Sequence, residues 1–202
     1  MSRRFALAFD YLCPFARNAN EHVITALRGG ADWEVTFRPY SLAQGHGDGD
    51  QPAVWDRPEP HRVAGVLALQ VAIAVRDRHP DRFLDVHEQL FAARHDRGED
   101  LKAREVVGAA LGRAGLTDPD LLAAVDAGQV LGQLQQEHER LVQDHEVWGV
   151  PTFITDRRAV FVRLLDRPEG DVARATRRIT QVVDLVDTAL DLHEFKQTDL
   201  PI

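Results

Sequence analysis

The chain has a single cysteine, Cys13, among its 202 residues, so no disulfide can form within it. The stapled framework of a small secreted domain is thereby excluded. Lysine is almost as scarce, at Lys102 and Lys196 only, and arginine supplies the other cations, a bias that carries no mechanism. No apolar run approaches the ~20 residues needed to cross a bilayer, which argues against membrane insertion. A formal charge of −8, with no basic patch to offset it, argues against a nucleic-acid surface. No glycine-rich phosphate cradle precedes a helix, and no Gly-x-Ser-x-Gly elbow is present. The apolar stretch after Arg3-Arg4 ends at Asp10 without a cleavage region, so it reads as a first strand in a cytoplasmic protein.

Metal-ligating patterns are equally thin. His79, His87 and His95 recur in steps that turn a helix by ~80° each, so they share no face and read as solvated or capping side chains. His138 and His145 lie seven apart, but only Asp144 or Glu137 could be nominated beside them, and no metal site is expected. His46-Gly47-Asp48-Gly49-Asp50 has the look of a calcium loop, yet it lacks the downstream bidentate glutamate and reads as a mobile loop.

The length suits one domain, or one domain carrying a large insertion, and is ample for a core. Residues 4–9 read as an apolar strand, and the alternation of Trp33-Glu34-Val35-Thr36-Phe37-Arg38 reads as a half-buried one. Between them residues 14–28 form a helix stopped by Gly29-Gly30, which completes a βαβ unit. Residues 44–60 collect Gly, Asp and Pro and read as an exposed loop. From His61 to about His145 the periodicity is helical, with Val63, Val66, Leu67, Gln70, Val71 and Ala74 on one spacing and Phe83, Val86, Leu90 and Phe91 on another. The β pattern returns at residues 151–155, turns over Asp156-Arg157-Arg158 and continues through 159–164, before an amphipathic helix over 170–190. The expected division is a domain of residues 1–58 and 146–202, interrupted by a helical subdomain of residues 59–145.

Cys13 sits where the first strand gives way to the first helix, in Phe9-Asp10-Tyr11-Leu12-Cys13-Pro14-Phe15-Ala16-Arg17. Pro14 suits the first helical position, where its missing N–H costs nothing. A sulfur at a helix N-terminus faces unpaired N–H groups and the positive end of the macrodipole, which favour the thiolate. The expected pKa of Cys13 is therefore below the usual cysteine range. Trp33, Trp55 and Trp148 read as packing groups, although Trp55 and Trp148 are placed to line a groove near Cys13.

A strand ending in Cys-Pro at a helix start, a helical insertion, and Gly149-Val150-Pro151-Thr152 opening a hairpin together resemble the DsbA-like branch of the thioredoxin superfamily. The fold this implies is α/β, a mixed four-stranded sheet with a large helical insertion. The resemblance implies that Pro151 is cis and faces Cys13 across the site, and that the flanking backbone of Val150 and Thr152 holds substrate as an added strand. Cys13 is then the catalytic residue, and Pro14, Phe15, Ala16, Val150, Pro151 and Thr152 form the substrate-binding set. The tail from Leu192 to Pro201 also looks like that of mycothiol-dependent nitroreductases, which belong to this branch.

The chain departs from the family pattern at Ala16, which occupies the position of the second cysteine in Cys-Pro-x-Cys. It cannot close its own disulfide, so the resemblance implies monothiol chemistry, in which a second thiol resolves the adduct on Cys13. A low-molecular-weight thiol such as mycothiol or glutathione is the expected cosubstrate, with no tightly bound cofactor. Protein thiols and a second copy of the chain are further candidate partners. Two other readings stay open: a thiol-dependent transferase or isomerase like the kappa-class glutathione transferases, and a non-catalytic adaptor that kept the fold without redox cycling.

Overall fold

The computed structural model describes residues 3–47 and 51–192. The readings made for Asp48-Gly49-Asp50 and for the tail from His193 to Pro201 lie outside the described residues. Apolar Phe5, Leu7, Ala8 and Phe9 build β1 (Arg3–Phe9), whose last three residues are all buried. Helix α1 (Pro14–Arg28) follows, capped by Cys13 and closed at Gly29, and β2 (Trp33–Pro39) pairs parallel with β1.

The chain then becomes helical, through α2 (Leu42–Gly45), two short 3-10 turns, α3 (Val66–Arg78), α4 (Phe83–His95), α5 (Arg104–Arg113), α6 (Pro119–Asp126) and α7 (Leu131–His145). It closes with β3 (Thr152–Ile154), β4 (Ala159–Phe161) and α8 (Val172–Thr188). The sheet order is β2-β1-β3-β4, with β3 antiparallel to both β1 and β4. This is the mixed four-stranded sheet of a thioredoxin fold.

Local chemistry explains the boundaries. Asp118 caps α6 through the N–H groups of Asp120 and Leu121, and Asp171 caps α8 through that of Arg174, each a contribution of ~1 kcal/mol. Gly29 lets α1 meet α8, because a Cβ there would lie 2.1 Å from Val172 Cγ1. Every residue of α3 from Val66 to Val75 is buried, so its apolar residues do not confine themselves to one stripe.

Several boundaries differ from the sequence reading. His61 and Val63 precede α3, with His61 in a 3-10 turn (Pro60–Arg62). The stretch after residue 44 holds a second 3-10 turn (Val54–Asp56) whose Val54 is fully buried, so it is not wholly an exposed loop. The hairpin strands are short. Pro151 has no N–H to give a ladder, so β3 starts at Thr152. The chain leaves β4 after Phe161, and the Asn18 side chain on α1 donates to the carbonyls of Leu164 and Leu165 at 2.9 Å each.

Of His79, His87 and His95, two sit at helix ends, as a capping role implies, and one is buried. His79 follows the end of α3 and pairs with Asp118, while His95 ends α4 and bonds the Tyr11 carbonyl at 2.8 Å. His87 is fully buried, ringed by Phe9, Phe37, Phe83 and Phe91. The Asn20 amide N–H donates to Ala16 O at 2.7 Å, so Asn20 Oδ1 accepts from His87 Nε2 at 2.9 Å. His87 Nδ1 is then bare and accepts the Tyr11 hydroxyl at 2.7 Å, which fixes a neutral tautomer. His138 is buried too, with its ring 4.5 Å from that of Tyr40 and 5.3 Å from that of Trp55, and its Nδ1 accepts the Ser41 N–H.

Burial pushes the His87 imidazole down from 6.5 to about 3 and that of His138 to about 4. The unfolded chain therefore takes up protons first, and stability from both residues falls as pH drops below about 6.5. Buried Asp10 acts oppositely: its carboxyl is raised from 3.8 to about 6, so protonation between those values favours the folded state. Comparison of wild type with His87→Phe isolates the His87 contribution. In urea titrations, the wild type should lose ~2 kcal/mol more than the variant between about pH 7 and pH 5. Equal losses would show that His87 is not held neutral.

Candidate active site

The register of β1 against β3 builds the site. Ala8 pairs with Thr152, Leu7 with Phe153 and Ala6 with Ile154, so the exit of β1 and the entrance of β3 lie at one end of the sheet. The chain leaving β1 turns through Asp10, whose carbonyl accepts the Cys13 N–H at 3.2 Å, and delivers Cys13 to the start of α1. The chain entering β3 arrives through a cis Val150–Pro151 bond. The two meet at the sulfur: the Cys13 thiol donates to Val150 O at 3.1 Å, and Sγ accepts the Ala16 N–H at 3.4 Å.

The residues singled out from the sequence take distinct places around this contact. Pro14 is exposed on the first turn, and Phe15 is half-buried beneath the Arg163 guanidinium. Ala16 is fully buried and donates its backbone N–H to the sulfur. Val150 and Pro151 are buried beside Cys13, and the Thr152 hydroxyl turns inward to donate to Gly149 O at 2.7 Å. Trp148 is 64% exposed at the rim and packs on Phe161, while His46 bonds its carbonyl at 3.3 Å. Trp55 packs on His138, and Trp33 on Phe5. Among the described residues, no group of His, Cys, Asp or Glu is arranged to hold a metal ion.

The expected low pKa of Cys13 is corrected by the surroundings. Burial pushes the thiol above the ordinary cysteine value, since only 8% of the residue is exposed. The Ala16 and Phe15 N–H groups pull the other way, as the helix-start argument requires, and so does the positive charge of Arg163. The negative charge of Asp10 adds to the upward shift. Desolvation outweighs the helix terminus here.

Asp10 is the site residue that the sequence reading missed. It is fully buried, and its two carboxylate oxygens accept the N–H groups of Leu12 at 2.9 Å and Leu42 at 2.7 Å. It thus ties the Cys13 turn to the segment that follows β2. Gly65, at φ +81°, closes over it, since a Cβ there would lie 3.1 Å from Asp10 Oδ1. The available signal was one acid between the apolar run of β1 and Tyr11-Leu12-Cys13. For Arg163 no local signal exists, because its place depends on the register of the hairpin.

Comparison with known proteins bears on the family and the fold. A family model described as a DSBA-like thioredoxin domain matches residues 7–167. The chain belongs to that family. The fold is similar to cytosolic disulfide reductase DsbM from Pseudomonas aeruginosa, at TM-score 0.58 and 16% identity over 94% of this chain and 100% of that one. It is also similar to BdbD from Bacillus subtilis, at TM-score 0.58 and 16% identity over 90% of this chain and 87% of that one. A third solved structure, the thiol-disulfide exchange protein α-DsbA2 from Wolbachia pipientis, matches at TM-score 0.58 and 16% identity over 89% of this chain and 81% of that one. No curated protein matches the chain. No helix among the described residues is long and apolar enough to cross a membrane.

Two measurements follow from the sulfur's surroundings. The pH midpoint of Cys13 alkylation by iodoacetamide should lie above that of an ordinary cysteine, and Asp10→Asn should lower it by removing a neighbouring negative charge. A midpoint unmoved by Asp10→Asn would remove the carboxylate from the electrostatics of the thiol. Ala16→Cys places a second sulfur three residues on, within disulfide reach. Mild oxidation of that variant should then remove about 2 Da and both free thiols, and retention of both would contradict the motif alignment.

Proposed function

We propose that the chain is a monothiol thiol–disulfide oxidoreductase of the cytoplasm, in which Cys13 exchanges with a disulfide and a low-molecular-weight thiol regenerates it. The observation that carries this reading is the Cys13 sulfur at the cap of α1, 3.1 Å from Val150 O beside Pro151, with Ala16 where a resolving sulfur would stand. Residues 59–145 form an inserted helical subdomain in this reading, and Pro14, Phe15, Ala16, Val150, Pro151 and Thr152 line the substrate site.

In the first step the Cys13 thiolate attacks one sulfur of the incoming disulfide. A new sulfur–sulfur bond forms as the old one breaks, and the leaving thiolate takes up a proton. A second thiol attacks the mixed disulfide and releases Cys13. With no second cysteine in the chain, that thiol comes from outside. DsbM, which shares this fold, is a cytosolic disulfide reductase whose solved structure is with GSH, and this supports a small thiol in the second role. Glutathione and mycothiol are the two candidates.

One observation favours a second reading, the non-catalytic adaptor. The raised thiol pKa leaves little thiolate at neutral pH, and the thiol donates its proton in a hydrogen bond to Val150 O, the carbonyl that would otherwise receive a ligand. Intact mass after incubation with oxidised glutathione, mycothiol disulfide and bacillithiol disulfide separates the two. The oxidoreductase gives an adduct on Cys13 that forms faster as pH rises and is released by the matching thiol. An unmodified chain under all three conditions identifies the adaptor.

A further inference from the structure

The rim of the site carries a guanidinium that the proposed exchange does not yet use. Arg163 stacks on Phe15, with Cζ 5.3 Å from the ring centroid, directly after the Cys13-Pro14 start of α1. Its charge reaches the Cys13 sulfur and opposes the effect of burial there. Its backbone is held on both sides. The Val162 N–H donates to Pro151 O at 3.1 Å, and Asn18 takes the Leu164 and Leu165 carbonyls. His22 extends the clamp by bonding Asp166 O at 3.1 Å.

Three carboxylates in the neighbouring segments are already engaged. Asp96 pairs with Arg17 and Arg167, Glu21 with Arg167, and Asp166 with Arg174. Asp10 is buried and accepts two backbone N–H groups. Arg163 pairs with no carboxylate among the described residues and is exposed. An arginine held over an aromatic ring, with no carboxylate partner of its own among the described residues, suits a planar anion, and a carboxylate meets its fork in a bidentate pair.

We infer that Arg163 is a specificity-determining residue of the Cys13 site, which selects thiols and disulfides that carry a carboxylate. The inference rests on the thiol exchange proposed above and names its substrate class. A carboxylate on the incoming molecule pairs with Arg163 while one of its sulfurs lies against Cys13. Glutathione and bacillithiol carry such groups and mycothiol does not, so the pairing favours the first two. The covalent step is unchanged: Cys13 thiol and disulfide give the mixed disulfide and one free thiol, with no other oxidant or reductant.

The test compares rates of Cys13 mixed-disulfide formation with glutathione disulfide and with uncharged 2-hydroxyethyl disulfide, in wild type, Arg163→Ala and Arg163→Lys. Loss of the Arg163 charge also raises the Cys13 thiol, which slows both reactions alike, so the ratio of the two rates isolates recognition. Arg163→Ala should lower that ratio by about tenfold, the effect of one charge-assisted pair. Arg163→Lys should recover part of it, because the charge stays while the fork is lost. An unchanged ratio would overturn the inference. If Cys13 reacts with neither disulfide, the exchange reading has failed, and calorimetry with unreactive S-methylglutathione decides the role of Arg163 separately. Binding about tenfold weaker in Arg163→Ala supports it; equal binding in both, or none to the wild type, overturns it.

Discussion

The antiparallel pairing of β1 with β3 is the constraint on which the rest of the site depends. Three residue pairs, from Ala8–Thr152 to Ala6–Ile154, fix which end of β3 meets which end of β1. Strand register has a period of two, so a slip by one residue would turn Phe153 out of the core and displace Val150 from Cys13. The surrounding structure reinforces that register. Phe153 packs against Phe5 across the two strands, and Phe5 in turn against Trp33 of β2. The same pairing carries the hairpin on to Val162, whose N–H returns to Pro151 O, and so sets the start of the segment that holds Arg163.

The chemistry at the sulfur is a balance in which burial leads. A helix start supplies N–H donors and a favourable dipole, and such contributions are worth ~0.3–1 kcal/mol near a surface. Removing a thiolate from water costs more when the residue is almost enclosed, as Cys13 is. Asp10 adds a negative charge from below, and Arg163 a positive one from the rim. Reactivity at this site therefore depends on what enters the groove, because a ligand that displaces the thiol from Val150 O also changes the dielectric around it.

The buried polar groups couple the helical region to the reactive turn. Tyr11, two residues before Cys13, bonds His87 on α4 through its hydroxyl and His95 through its carbonyl. His87 continues to Asn20 and Asn20 to Ala16 O, so α4 is bonded to both the turn and the first turns of α1. Buried polar groups of this kind are costly when unpaired. The network ties the helices between β2 and β3 to the Cys13 turn through directional bonds as well as packing.

Much of the fold was legible in the sequence, because hydrophobic period, Gly29-Gly30, Asp118-Pro119 and the Cys13-Pro14 start are all local signals. They located β1, α1, β2, the helical stretch, the hairpin and α8, and a resemblance between motifs singled out Cys13 and Pro151. Roles that depend on distant partners were not legible. His87 read as a solvated or capping residue because periodicity cannot say that four phenylalanines from three elements surround it. Asp10 read as the end of a strand because Leu42, its second partner, lies 32 residues away. The Cys13 thiol was expected low because the helix start is written in the sequence, whereas the burial that raises it is tertiary, with Val150, 137 positions on, against the sulfur. By itself the sequence determined the elements and the single sulfur, since those follow from neighbours in the chain. Only the tertiary structure decided the sulfur's protonation and the cation that faces it, because desolvation and charge act through space between residues more than a hundred positions apart.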